Sequence, residues 1–337
     1  MKPTKLIAFG EALIDFLAKK DPKTEQVSFI QYPGGAPANV AVAAAKQGVN
    51  SHFIGQVGDD RFGRFLIDCL SGYGVNTQAV RLTQEAKTAL AFVTLDDDGE
   101  RSFEFYRNPS ADILYKADYF NETFFADNEG IFHTCSNTLT SDDITTATFA
   151  GMAMAKQFGW LISCDINLRT NLWPAHQLNQ PRIIDWLDQA HVVKASLEEL
   201  VLLTDDVTGF IKRLLANNTL LFILTDGANP VRYYTKVVQG EIGQGEIKKG
   251  EIKTPKVDVK DTTAAGDAFV GGLLAKLTEL APTPEKCEHM SKNQWDDVIR
   301  FAVAAGAYTV TQYGAYPALP NQEQVQSMLM KVASVQI

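Results

Sequence analysis

The chain has 337 residues, of which 45% are hydrophobic and 21% charged, a globular composition that excludes a disordered polymer. Its formal net charge of −9 argues against non-specific binding to nucleic acid or anionic membrane, both of which need Lys/Arg patches. A phosphate ligand is not excluded, because a few backbone N–H groups hold one whatever the net charge.

From the N-terminus, the apolar run Leu6-Ile7-Ala8-Phe9 is soon broken by Glu11 and Asp15. It is too short for a signal segment or a membrane span, so it reads as a first strand of a cytoplasmic protein. Further near-continuous apolar runs at 52–57, 130–134, 160–165, 191–195 and 220–225 read as buried strands. Helical patterns start near Ala38, Arg61, Asp142, Ile183, Leu197, Asp267 and Trp295. This alternation predicts an α/β fold, a doubly wound and mostly parallel sheet with helices on both faces.

Segments 12–33 and 86–108 break the rhythm by alternating polar and apolar residues. The second reads as a hairpin, 88–95 and 101–106, turned at Asp98-Gly99. Together they are expected to form a small β-sheet lid on a single domain spanning 1–337. Gly-Glu-Ile recurs three times between 240 and 252, too briefly for a solenoid, and reads as an expanded surface turn. Cys69, Cys135, Cys164 and Cys287 are scattered and imply isolated thiols, with neither zinc site nor disulfide framework.

The chemistry concentrates at Asp261-Thr262-Thr263-Ala264-Ala265-Gly266-Asp267, between a strand-like stretch and an apolar helix. Small residues there let the amides of Ala264, Ala265 and Gly266 point at one spot, and the helix start adds partial positive charge. Such a hole suits a phosphoryl group in transfer. Asp267, at its mouth, is placed to take a proton from an attacking hydroxyl. A helix-capping role for the same aspartate remains open at this point.

This segment resembles the signature D-T-x-G-A-G-D of ribokinase-like (PfkB-type) carbohydrate kinases, departing from it at Ala264, where a methyl group is tolerable if φ is negative. Gly34-Gly35-Ala36-Pro37-Ala38-Asn39 is similar to the family's first signature, and Asp15 to its sugar-binding aspartate. The resemblance implies that Gly34 and Gly35 admit the sugar close to the backbone, and that Asn39 and Asp15 bind its hydroxyls. Phe105-Tyr106-Arg107-Asn108-Pro109-Ser110-Ala111-Asp112 looks like a run found in fructokinases, with Arg107 reaching sugar or phosphate; a surface ion pair is the plainer alternative. Asp165-Ile166-Asn167-Leu168-Arg169 is similar to the family stretch in which Arg169 neutralises phosphoryl charge.

Lys194-Ala195-Ser196-Leu197-Glu198-Glu199 resembles the N-x-x-E motif, with Ser196 in place of Asn on the nucleotide side and Glu199 ordering hydrated Mg²⁺. A capping box between Ser196 and Glu199 fits the same spacing. Leu224-Thr225-Asp226-Gly227 matches the loop along the nucleotide, giving Thr225 and Gly227 as binding residues. Asp261, Thr263, Thr309, Gln312 and Gly314 map to a monovalent-cation site, implying K⁺ as an activator. The resemblance covers 6 to about 320 and implies transfer of a phosphoryl group from ATP to a sugar hydroxymethyl group. Fructose is the first expectation, with 2-keto-3-deoxygluconate or aminoimidazole riboside as alternatives. Lids of this kind often pair into homodimers. A catalytically silent sugar-binding protein is the reading from another class, against which the intact Asp267 and Gly266 argue. An NAD-dependent dehydrogenase lacks its dinucleotide fingerprint in the first βα turn.

Overall fold

A computed structural model describes residues 4–21, 23–95, 101–107, 109–126, 129–236, 247–280 and 282–336. The Asp98-Gly99 turn, Asn108 and the Gly-Glu-Ile segment up to 246 lie outside the described residues.

The strands are β1 (Lys5–Phe9), β2 (Leu13–Lys20), β3 (Val27–Gly34), β4 (Asn50–Gly58), β5 (Val80–Thr83), β6 (Leu90–Leu95), β7 (Arg101–Tyr106), β8 (Gly130–Cys135), β9 (Leu161–Asp165), β10 (Val192–Ser196), β11 (Leu221–Thr225), β12 (Val231–Lys236) and β13 (Ile247–Ile252). Nine of them form one sheet in the order β13-β12-β11-β10-β9-β8-β1-β4-β5. Its pairs are parallel from β11 through β5, while β12 and β13 join antiparallel at the edge. Strand order reverses between β1 and β8, so their carboxyl ends open a crevice of the kind in which α/β sheets bind ligands.

Both faces of this sheet are buried, which explains the apolar runs. Ile7, Phe132, Ile162, Val193 and Phe222 pack in one cluster with α3 (Asp142–Gln157), α4 (Gln180–Leu187) and α6 (Val207–Ala216). Their neighbours Leu6, Ile131, Leu161, Val192 and Leu221 pack in another. That second face is covered by α1 (Ala36–Lys46), α7 (Ala265–Leu280), α9 (Lys292–Thr309) and α10 (Gln322–Gln336). The period-two alternation across each strand thus fills two cores from one sheet. The remaining helices are α2 (Arg61–Gly72), α5 (Leu197–Val201) and α8 (Pro284–Glu288).

The two segments that broke the sequence rhythm form the second sheet, β3-β2-β6-β7. Leu13 pairs with Gly34 at its base, and β2 runs parallel to β6. Among the described residues, no helix is long and apolar enough to cross a membrane. Cys135, Cys164 and Cys287 are buried and Cys69 is half-buried, and none of the four is in a disulfide.

Candidate active site

Helix α7 starts at Ala265, which makes Asp267 its third residue rather than its N-cap. The Asp267 carboxylate is turned to side chains from other elements. Asn39 Nδ2, on α1, donates to Oδ2 at 2.7 Å, and Asn167 Nδ2, just past β9, lies 3.5 Å from Oδ1. These long-range contacts disfavour a capping role. Asp267 is only 8% exposed. Burial pushes its carboxyl up to about 7, with Asn39 pulling it down and Asp165 adding to the rise.

Ala264 does not meet the condition under which a methyl group there is free of strain. Its φ is +57°, in the left-handed region, not negative. Its carbonyl already accepts the first helical bond, from Ala268 N at 2.8 Å, so the incoming chain must reverse at this residue to enter α7. A Cβ at such a φ costs about 1–2 kcal/mol, which is why glycine suits the position. The three expected amide donors also differ from one another. Ala265 N donates back to Thr262 O at 3.3 Å, while Gly266 lies in the first turn, where a helix leaves its N–H groups open. A Cβ built on Gly266 would meet only Lys194 Nζ, at 3.5 Å.

Asp15, Gly35, Asn39, Arg107, Arg169 and Asp267 line one cavity of about 290 Å³, with Thr262, Thr263 and Ala264 beside them. The two glycines earn their place by making room for protein, before any sugar is considered. A Cβ on Gly34 would lie 2.1 Å from Asp15 Oδ2, and one on Gly35 (φ +103°) 2.4 Å from the Glu11 carbonyl oxygen. Arg107 is 5% exposed and already engaged. It pairs with Asp112 at 2.6 Å, and donates to Asn137 O at 3.0 Å and Thr140 Oγ1 at 3.4 Å. It therefore anchors the lid's return strand to the body, a buried ion pair in place of the surface one considered above.

Ser196, Glu199, Thr225 and Gly227 lie outside this cavity, at the carboxyl ends of the neighbouring strands. Ser196 pairs with Thr225 in register, and Thr225 Oγ1 donates to Ala195 O at 3.3 Å. Gly227 has φ +54°, a turn conformation that favours glycine. Ser196 and Glu199 do form the capping box: Ser196 N donates to Glu199 Oε2 at 2.7 Å, and Glu199 N to Ser196 Oγ at 3.2 Å. Glu199 Oε1 also accepts from Leu168 N at 3.1 Å, with Arg169 4.0 Å away. Burial raises the Glu199 carboxyl, but Lys194 and the bonds to Ser196 outweigh it and hold it below the usual range. One lone pair on each oxygen stays available, which fits an aquo-ion held through water.

Asp261 is 4% exposed; Oδ1 accepts from Thr263 N at 2.7 Å and Oδ2 from Gly314 N at 3.0 Å. Gln312 N donates to Thr309 O at 3.0 Å, and Val310 O takes the amides of Lys260 and Asp261. The loop 309–314 thus wraps a buried carboxylate in main chain.

Several polar residues of this region carried no role in the sequence reading. Lys194, 7% exposed, sits 3.0 Å from Asp165 Oδ1. Burial pushes the Asp165 carboxyl up, against the pull of the Lys194 ammonium. Glu11 and Asn137 line the main cavity at the switch point between β1 and β8. Asn167 adopts φ +36°, which asparagine tolerates. The available signal was a polar residue at the carboxyl end of each apolar run. A larger cavity of about 590 Å³, near Tyr233, Lys236, Lys248 and Lys292, holds none of the site residues.

The description of pfkB family carbohydrate kinases matches residues 3–322. The probable fructokinase-4 of Arabidopsis thaliana is 40% identical over 335 residues, 96% of each chain. Fructokinase-1 of Zea mays is 38% identical over 334 residues, 97% of this chain and 98% of its own. A fructokinase from Xylella fastidiosa with bound ATP has a TM-score of 0.89 and 40% identity, covering 98% of this chain and 99% of that one. The fructose-, ADP- and calcium-bound fructokinase of Vibrio cholerae O395 has a TM-score of 0.82 and 31% identity, covering 97% and 99%. The fold is ribokinase-like, and the chain belongs to the pfkB family of carbohydrate kinases.

Proposed function

We propose that the protein is an ATP-dependent fructokinase, which phosphorylates a hydroxymethyl group of D-fructose to give fructose 6-phosphate. The observation that carries this reading is Asp267, a buried carboxylate with a pKa near 7, beside the N-terminus of α7 in a polar cavity. A base tuned to neutral pH is half-ionised where it works, which suits general-base catalysis. The sugar hydroxyl gives its proton to Asp267 as its oxygen bonds to the γ-phosphorus, and the bond to the ADP leaving oxygen breaks. The Gly266 amide and Arg169 face the charge on the transferred group. Glu199 would hold Mg²⁺ through its waters, and the ion would supply charge neutralisation on the phosphates; the Asp261 loop would hold K⁺. The small sheet closes over the site and keeps out water that would otherwise take the phosphoryl group.

Arg107 favours a neutral sugar over 2-keto-3-deoxygluconate. Its guanidinium is already neutralised by Asp112, which leaves little positive charge for a sugar carboxylate. The test is ADP release measured with fructose, ribose, ketodeoxygluconate and aminoimidazole riboside. Fructose should give the highest kcat/KM; turnover confined to the riboside or the acid would refute the assignment.

A further inference from the structure

Asn137 is a cavity residue that the roles above leave unused. It follows β8 in the short 3-10 turn Ser136–Leu139, is 4% exposed, and lines the same cavity as Asp267. Its Nδ2 donates to Glu11 Oε1 at 2.9 Å. That oxygen also accepts from Ala36 N at 3.3 Å, so it is an acceptor, and the amide nitrogen of Asn137 must face it. Asn137 Oδ1 therefore points away from Glu11, and it has no hydrogen-bond partner among the described residues. The backbone carbonyl accepts from Arg107 Nη2 at 3.0 Å and Thr140 Oγ1 at 3.1 Å, which fixes the residue from below. Buried polar atoms are nearly always satisfied, by protein, ordered water or ligand, and this one belongs to a residue that lines the cavity.

We propose that Asn137, oriented by Glu11, is a sugar-recognition residue whose Oδ1 accepts a hydrogen bond from a neutral hydroxyl at the end of the hexose away from the phosphorylated one. This rests on the fructokinase reading. Asp267 is bonded to Asn39 and Asn167, whereas Asn137 is bonded to Glu11 and Arg107. The two sets share no member, yet both line one cavity, so they address different parts of one small ligand. The Asn137 wall offers acceptors, because the nearby guanidinium donors are largely used by Asp112, Thr140 and the Asn137 carbonyl. Acceptors select hydroxyl donors and disfavour a carboxylate.

The test compares wild type with Asn137→Leu and Asn137→Ser on fructose and on analogues deoxygenated at the first or the second carbon. On fructose, kcat/KM should fall about tenfold to a hundredfold in both variants, with KM for ATP moving less than about twofold. On the analogue that lacks the partner hydroxyl the loss should shrink to under about threefold, since the bond is already gone. Equal losses on all sugars, or no loss on fructose, overturn the inference while leaving the fructokinase reading intact. Absence of fructose turnover by the wild type overturns that reading and this inference with it. The Ser variant, which removes bulk rather than adding it, keeps the comparison decisive if the Leu variant folds poorly.

Discussion

Replacing Asp267 by Asn separates the chemistry of the site from the cost of burying its charge. In the unfolded chain this carboxyl ionises near 3.8; in the folded protein burial raises it to about 7. A raised acid favours folding fully at pH below its unfolded pKa, and that advantage is lost as pH climbs to the folded value. The rise of about three units corresponds to roughly 4 kcal/mol, all of it forfeited by the wild type once pH passes 7. Asn keeps the shape and still accepts the Asn39 donor, but it never ionises. The apo Asp267→Asn protein should therefore exceed wild type in stability by a margin that widens from about pH 4 to about pH 7 and is level above, reaching up to roughly 4 kcal/mol. Its kcat should fall by about a hundredfold to ten-thousandfold. Urea unfolding at a series of pH values without nucleotide reads the first effect, and ADP release with an ATP-binding control reads the second. A stability gap that does not change with pH refutes the buried-charge argument, and near-normal turnover refutes the role as base.

Ala264→Gly should stabilise the protein by up to about 1 kcal/mol, because relief of the left-handed Cβ contact exceeds the extra chain entropy of glycine. Thermal melting reads this, with kcat expected unchanged. Lys194→Met leaves Asp165 as a buried unpaired carboxylate and should cost about 3–5 kcal/mol in urea unfolding. The double variant with Asp165→Asn should recover most of that loss. Glu199→Gln should raise the Mg²⁺ concentration for half-maximal rate about tenfold, measured by titrating the metal at fixed ATP.

The legible parts of this protein were those whose physics is local. Runs such as Leu161–Asp165 announce a buried strand because both faces are covered, and the 261–267 turn is small-residue chemistry within seven positions. The left-handed φ of Ala264 was not legible, because it depends on the direction in which the chain meets α7. That Gly34 and Gly35 also clear Asp15 on β2 and the Glu11 backbone just before it is a contact that no local pattern states. The Glu11–Asn137 bond joins residues 126 positions apart across the switch point. For Arg107 the sequence offers contact with sugar or phosphate and, as the plainer alternative, a surface ion pair; that it is buried against Asp112 is a tertiary fact.

The same reasoning explains why three carboxylates in one neighbourhood can do different work. Asp165, Glu199 and Asp267 are all buried near Lys194. The ammonium lies 3.0 Å from Asp165, and its field with the Ser196 bonds holds Glu199 ionised. Asp267 instead meets two neutral amides, Asn39 and Asn167. Were the lysine against Asp267, its pKa would drop well below 7 and it would lose affinity for the very proton it is proposed to take. An amide pair orients the carboxylate while leaving it basic, so the choice of asparagine over a cation at these two positions follows from the demand for a base near neutrality.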